Sequence, residues 1–166
     1  MDQACSPKLA FKTLTAALVK YGRQRSWKKA LNLLRDGQQR QMQADVITYS
    51  ASISACEKGQ QWMAAVALLR EMQQWQMQAH VISYNATISA CEKGGQWMAA
   101  MALLREMQRW QITADVITYS ATISACEKGQ QWIAAVSLLR EMQQWNMEAD
   151  VITYSATISA CEKGQQ

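Results

Sequence analysis

Ser50, Asn85 and Ser120 stand at the same place in three stretches of near-identical wording, 35 residues apart, and Ser155 takes that place a fourth time. The same step repeats an isoleucine just before them (Ile47, Ile82, Ile117, Ile152) and a lysine further on (Lys58, Lys93, Lys128, Lys163). Asp45, Asp115 and Asp150 recur immediately before Val46, Val116 and Val151, and His80 holds the equivalent place before Val81. A hydroxyl, an amide or a carboxylate can hydrogen-bond the edge of an unstacked base, and an apolar side chain can stack on its face. One lysine per repeat supplies one countercharge per phosphate. The plainer reading of the same residues is a solvated helix face closed by a lysine that the helix dipole favours.

Catalysis has little to work with. His80 is the only histidine, and nothing in the sequence gives it a nucleophile or a metal-binding partner. The H-x-E…P-C-x-x-C signature of a zinc deaminase does not occur. Four of the five cysteines (Cys56, Cys91, Cys126, Cys161) keep the 35-residue step, far from the clustered spacing of a zinc site or a disulfide framework. They read as buried, small, apolar thiols in a reducing compartment. The expectation is a non-enzyme with no cofactor and no metal.

The elements that carry these residues follow from the repeat. Self-similarity at a period of roughly 20–50 residues marks a solenoid, a propeller or an array, in which each repeat buries its apolar face against its neighbours. Within residues 46–80, Trp62, Ala65, Val66, Leu69 and Met72 form the stripe of an amphipathic helix built from good helix formers. The first half, VITYSASIS, is β-branched, and its opening scores as a strand. Against that, Tyr49, Ile53 and Cys56 fall at helical spacing, and the segment runs to Gly59, a residue suited to a left-handed helix C-cap. A strand-plus-helix repeat would also show L-x-x-L-x-L spacing, which is missing. The fold class expected is all-α, a right-handed α-solenoid of 35-residue helix-turn-helix repeats. Tyr49, Ile53 and Cys56 should pack on the Trp62–Met72 stripe, with Trp62, Trp97 and Trp132 in that core. Trp75, Trp110 and Trp145, at the end of each second helix, are assigned to packing between repeats. Ile47, Ser50, Ser54 and Lys58 are left on the opposite face of the first helix, along one groove.

Residues 46–80, 81–115 and 116–150 are three full repeats, and 151–166 is a half repeat. Counting 35 back from Val46 and Trp62 lands on Phe11 and Trp27, and Leu33-Leu34-Arg35 matches Leu68-Leu69-Arg70. Residues 11–45 are therefore a worn first repeat behind a lead-in of residues 1–10. Residues 1–45 carry nine Lys/Arg against three Asp, net +6, whereas residues 46–166 carry eight against ten, net −2. The acid-free stretch between Asp2 and Asp36 resembles an organellar transit peptide. The repeat match leaves at most the first ten residues for such a leader. The clear repeats are not a basic block, so placed charges rather than an overall field must hold any polyanion. At 49% hydrophobic residues the composition is globular, and no apolar run reaches the roughly 18–20 residues of a membrane span.

A helical hairpin of this length and wording resembles the pentatricopeptide repeat family of RNA-binding solenoids. In the third repeat the matching residues are Val81, Tyr84-Asn85, Ile88, Lys93, Ala100, Leu103, Met107 and the closing Asp115. The likeness covers residues 46–150 well, 11–45 loosely and 151–166 as a half repeat. Tetratricopeptide repeats show W-x₂-L-G-x₂-Y and a Pro, and these repeats have neither. The family often places Pro before the closing acidic residue. Here Ala44, Ala79, Ala114 and Ala149 stand there, which loosens the entry to each hairpin without touching the groove.

The resemblance implies one RNA base per repeat, with a single strand running 5′ to 3′ along the N-to-C direction. It implies that the fifth and last residues of a repeat read the base. Those pairs are Thr15 with Asp45, Ser50 with His80, Asn85 with Asp115 and Ser120 with Asp150, while Ser155 has no closing partner. The second residue (Ile47, Ile82, Ile117, Ile152, with Lys12 an odd member) would wedge between bases. Lys58, Lys93, Lys128 and Lys163 would meet phosphates. In the family's pairing habit Asn with Asp implies U, and Ser or Thr with Asp implies G, weakly for Thr15. Ser50 with His80 matches no common pairing, so the implied readout is 5′-G-N-U-G-3′. A hydroxyl leaves room for a purine, whereas the longer amide fills that space and meets a pyrimidine edge.

Single-stranded RNA is then the expected partner, in RNA processing, stability or translation within a chloroplast or mitochondrion. The alternative is a protein-binding scaffold of the tetratricopeptide-like type. That alternative gives no reason for Asp45, Asp115 and Asp150 to recur at repeat ends. Residues 151–166 lack the second helix of their hairpin, so Tyr154, Ile158 and Cys161 should be half covered. Fraying or weak end-to-end self-association is expected there.

Overall fold

The structure is a computed structural model that describes residues 7–40 and 44–164, with side chains described from Leu14 onward. Phe11 and Lys12 lie outside the described side chains. The helices are α1 (Pro7–Arg23), α2 (Trp27–Gln39), α3 (Val46–Lys58), α4 (Trp62–Gln74), α5 (Val81–Lys93), α6 (Trp97–Arg109), α7 (Val116–Lys128), α8 (Trp132–Gln144) and α9 (Val151–Gly164). No strand occurs among the described residues. The fold is all-α, and the β-branched openings are helical. Helix α1 starts at Pro7, so residues 7–10 of the expected lead-in belong to the first helix.

The chain divides into two compact units, Met1–Ala79 and His80–Gln166. In the first, α1 packs on α2 and α3, and α3 also packs on α2 and α4. In the second, α5 packs on α6 and α7, while α7 is surrounded by α5, α6, α8 and α9. A helix enclosed on several sides needs no polar face, which is why its sequence reads so poorly as an amphipathic helix. Tyr49, Ile53 and Cys56 are buried, as are Tyr84, Ile88 and Cys91 and then Tyr119, Ile123 and Cys126. The buried hydroxyls on these helices satisfy themselves locally. Ser52, Thr87, Thr122 and Thr157 each donate to the carbonyl four residues back, at 2.7–2.9 Å. Burial pushes the Cys56, Cys91 and Cys126 thiols up to about 11, which keeps them inert at neutral pH.

The two helices of the hairpins α3/α4, α5/α6 and α7/α8 are joined by a pairing that the apolar stripe does not reveal. Tyr49 donates its hydroxyl to Glu71 Oε1, Tyr84 to Glu106 and Tyr119 to Glu141, each at 2.8 Å. Gln38 and Gln108, from the preceding second helices, donate to Tyr49 and Tyr119 and complete the cluster. Burial, then the Glu141 carboxylate, pushes Tyr119 up to about 12, so it stays a donor.

Two expectations about the turns and tryptophans need correcting. Gly59 is not left-handed, with φ −84°, and neither are Gly94 and Gly129, with φ −85° and −83°. The left-handed residue is the next one: Gln60 (φ 57°), Gly95 (φ 66°) and Gln130 (φ 56°). Glycine is required one place earlier because a tryptophan lies over it. A Cβ on Gly59 would meet Trp27 at 2.4 Å, on Gly129 Trp97 at 2.3 Å, and on Gly164 Trp132 at 2.2 Å. Trp27 and Trp97 are thus half-buried covers over a turn, Trp62 is half-buried, and Trp132 lies over Gly164 while exposed, where a full core position was expected for Trp62, Trp97 and Trp132. Trp75, Trp110 and Trp145 do not pack between repeats. They are between 66% and 70% exposed at the helix C-caps.

A left-handed glutamine carries a steric cost that glycine escapes. Gln130→Gly should therefore raise the stability of the chain by roughly 0.5–1 kcal/mol, read from the urea midpoint. Gly95 already holds the equivalent place, so Gly95→Ala should move stability the other way.

Candidate nucleic-acid interface

The residues expected to read bases cluster at the start of each first helix, because the last residue of one repeat is the N-cap of the next. Asp45 caps α3, accepting from the Thr48 N–H at 2.8 Å and the Thr48 hydroxyl at 2.7 Å. Asp115 and Asp150 cap α7 and α9 in the same way through Thr118 and Thr153. His80 stands at the N-cap of α5, exposed and without a side-chain cap hydrogen bond.

Geometry joins the fifth and last residues directly in one repeat and through a bridge in the next. Asn85 Nδ2 donates to both carboxylate oxygens of Asp115, at 3.0 and 3.2 Å. The Thr118 hydroxyl lies 2.6 Å from Asn85 Oδ1 and accepts from the Asp115 N–H at 3.1 Å. Ser120 is too short to reach Asp150. Its hydroxyl meets that of Thr153 at 2.6 Å, and Thr153 meets Asp150. Burial pushes the Asp115 carboxyl up, but hydrogen bonds from Thr118, then Asn85, outweigh it and hold it below the usual carboxylate range. Hydrogen bonds from the Thr153 hydroxyl and N–H likewise hold Asp150 low. Both are therefore anionic acceptors at neutral pH.

In the first compact unit, Thr15, Asp45 and Ile47 line one open recess of about 780 Å³ together with Lys20 and Arg23. Lys20 and Arg23 set two cations beside the Asp45 carboxylate, which offsets its charge toward an anionic ligand. Ser50, also in this unit, bonds back to the Val46 carbonyl at 2.7 Å. Ser155 is exposed on α9. The expected wedges stand in the open. Ile47, Ile82, Ile117 and Ile152 are between 64% and 67% exposed, each beside a capping residue. A large aliphatic side chain in the open at a fixed place calls for a partner more than a scattered one does.

The lysines hold a different position from the one the sequence suggests. Lys128 is ion-paired with Glu92 and Lys163 with Glu127, the glutamates that end the preceding first helices. To meet a phosphate, each must share or leave its carboxylate. Lys58 and Lys93 are exposed at the ends of α3 and α5. Sequence reasoning missed these glutamates and the third-place threonines. Both recur at the same step as the lysines and aspartates, which was the available signal.

A sequence profile of the PPR repeat family matches residues 79–128 and 114–163, and one of the pentatricopeptide repeat domain matches residues 32–96. The chain belongs to the pentatricopeptide repeat family. Among solved structures, the pentatricopeptide repeat protein PPR10 from maize has a TM-score of 0.70 at 26% identity, over 89% of this chain and 21% of that one. PPR10 in complex with an 18-nt psaJ RNA element gives a TM-score of 0.75 at 21% identity, over 89% and 22% of the two chains. The pentatricopeptide repeat domain of Arabidopsis thaliana protein-only RNase P 1, in complex with tRNA, gives 0.79 at 11% identity, over 96% and 86%. At 21% and 11% the likeness is one of fold. The chain spans about a fifth of the length of PPR10. No curated protein sequence matches the chain significantly. Among the described residues no group of three or more His, Cys, Asp or Glu could hold a metal ion, and no helix is long and apolar enough to cross a membrane.

Proposed function

We propose that this pentatricopeptide repeat protein is a binding module, not an enzyme, that reads single-stranded RNA at one base per repeat. The observation that carries the reading is the coupling of the fifth and last residues. Asn85 is bonded to Asp115, and Ser120 is linked through Thr153 to Asp150, each pair beside an exposed isoleucine. A carboxylate held ionised next to an amide or hydroxyl is a fixed hydrogen-bonding edge, and the isoleucine is a platform for the base. The readout is 5′-G-N-U-G-3′, from Thr15/Asp45, the open Ser50/His80 pair, Asn85/Asp115 and Ser120/Asp150. The phosphates fall to Lys58, Lys93, Lys128 and Lys163. By family membership the setting is RNA processing, stability or translation in a chloroplast or mitochondrion.

Weak end-to-end self-association through α9 belongs to the same reading. Tyr154 and Ile158 are 44% and 59% exposed, whereas their counterparts Tyr119 and Ile123 are buried.

Gel shifts with homopolymer RNAs and the matching DNAs, across a salt series, test the proposal. Each stacked base contributes about 1–3 kcal/mol, offset by the ordering of the strand, so binding to RNA is expected to be weak. The logarithm of affinity should fall with the logarithm of salt by about 0.7 for each phosphate neutralised, hence no steeper than about 3 for four lysines. Absence of RNA binding at low salt, or equal binding to DNA and RNA, would favour the protein-binding scaffold.

A further inference from the structure

Thr118 and Thr153, each the third residue of its repeat, lie outside every reading pair, yet their hydroxyls touch both members of the pair before them. Thr118 and Thr153 are fully buried, so neither can meet a base. Their effect must pass through Asn85 and Ser120. Resting on the base-reading function proposed above, we propose that Thr118 and Thr153 are positioning residues that set whether the fifth residue shows the base a donor or an acceptor.

Proton accounting gives the two polarities. A threonine hydroxyl has one proton to donate. Thr153 Oγ1 lies 2.7 Å from the anionic Asp150 Oδ1 and 2.6 Å from Ser120 Oγ. The carboxylate takes that proton, since a charge-assisted bond is the stronger one. Ser120 must then spend its own proton on Thr153, and only its lone pairs remain to face a base. An acceptor beside the Asp150 acceptor matches the guanine edge, which offers N1–H and N2–H₂ together. Adenine offers one donor and one acceptor there, and it meets two acceptors.

Asn85 is held the other way. The Thr118 hydroxyl lies 2.8 Å from Asp115 Oδ1 as well. Here, though, the Asn85 amide reaches the carboxylate and gives it one Nδ2 proton, which leaves the Thr118 proton for Asn85 Oδ1 at 2.6 Å. The second Nδ2 proton is left to face the base, beside the Asp115 carboxylate. A donor next to an acceptor matches a uracil carbonyl and its N3–H. An amide anchored at both ends cannot turn its oxygen outward to accept from cytosine N4–H₂. The two reading pairs therefore differ in polarity although the same threonine serves both.

A purely structural threonine would cap the helix and leave base ratios alone, so ratios are the readout. Thr153→Val keeps the shape, removes the hydroxyl and returns the Ser120 proton to the base. The preference for G over A at that base should fall roughly three- to tenfold, the worth of one hydrogen bond. Thr118→Val in the interior helix α7 should lower the preference for U over C at the Asn85 base by a similar factor. Thr118→Ser should restore it. Thr122→Val is the control, because Thr122 is buried and donates only to the Thr118 carbonyl, at 2.8 Å. It should lower stability and leave both ratios unchanged. Fluorescence anisotropy with single-stranded RNA probes that differ at one base measures all four variants. Parent discrimination retained in both valine variants would overturn this inference alone. A parent with no discrimination at either base would overturn the reading on which it rests.

Discussion

Gly129→Ala should destabilise the chain by about 1–3 kcal/mol, a large effect for one methyl group on the surface of a turn. The backbone is not the reason, since φ at Gly129 is −83°, which alanine adopts freely. On backbone grounds alone the substitution would be mildly stabilising. The reason is Trp97, whose Cδ1, Cγ and Cβ would lie 2.3, 2.6 and 3.0 Å from the new Cβ. A contact at the root of the side chain cannot be relieved by a small turn of the ring, so the indole must leave. The test is a double-mutant cycle in urea. In a Trp97→Ala background, Gly129→Ala should cost little or become favourable. An equal loss in both backgrounds would mean that the ring does not sit over the glycine. The neighbouring change Gln130→Gly is expected to have the opposite sign, because there the left-handed backbone decides.

These adjacent positions show where sequence reading stopped. The period placed the helices, and the buried Tyr, Ile and Cys of each first helix followed from their spacing. Glycine in a turn suggested a left-handed cap, since that is its commonest use. Its actual use, room for a ring from another repeat, depends on a contact 32 residues away that no local pattern displays. The outer tryptophans Trp75, Trp110 and Trp145 failed for the converse reason: large aromatic residues are usually covered, and these are not.

At the candidate site, residue types and period picked out Asn85, Asp115, Ser120 and Asp150. They did not show that Asp115 doubles as a helix cap, that Thr118 and Thr153 link the pairs, or that Lys128 and Lys163 are bound to glutamates. Each of those facts concerns the direction of a side chain across a helix junction. Period fixes position along the chain, and only packing fixes direction. The phosphate role proposed for the lysines is accordingly the part most changed by the geometry.

The central claim, that a coupled pair of side chains selects one base, is tested most directly at Asn85. Asn85→Ser replaces the amide that reaches Asp115 with the hydroxyl that Ser120 carries in the next repeat. A serine there should bond Thr118 instead, leaving an acceptor and room for a purine. A good two-point hydrogen-bond match between side chains and a base is worth about 1–3 kcal/mol of discrimination. Binding is measured with single-stranded probes that carry U or G at the Asn85 base and are otherwise identical. The parent should prefer U and the Asn85→Ser variant should prefer G, a change in the U-to-G ratio of at least about tenfold. The preference at the Ser120 base should stay where it was. If parent and variant bind the two probes in the same ratio, Asn85 and Asp115 do not read a base.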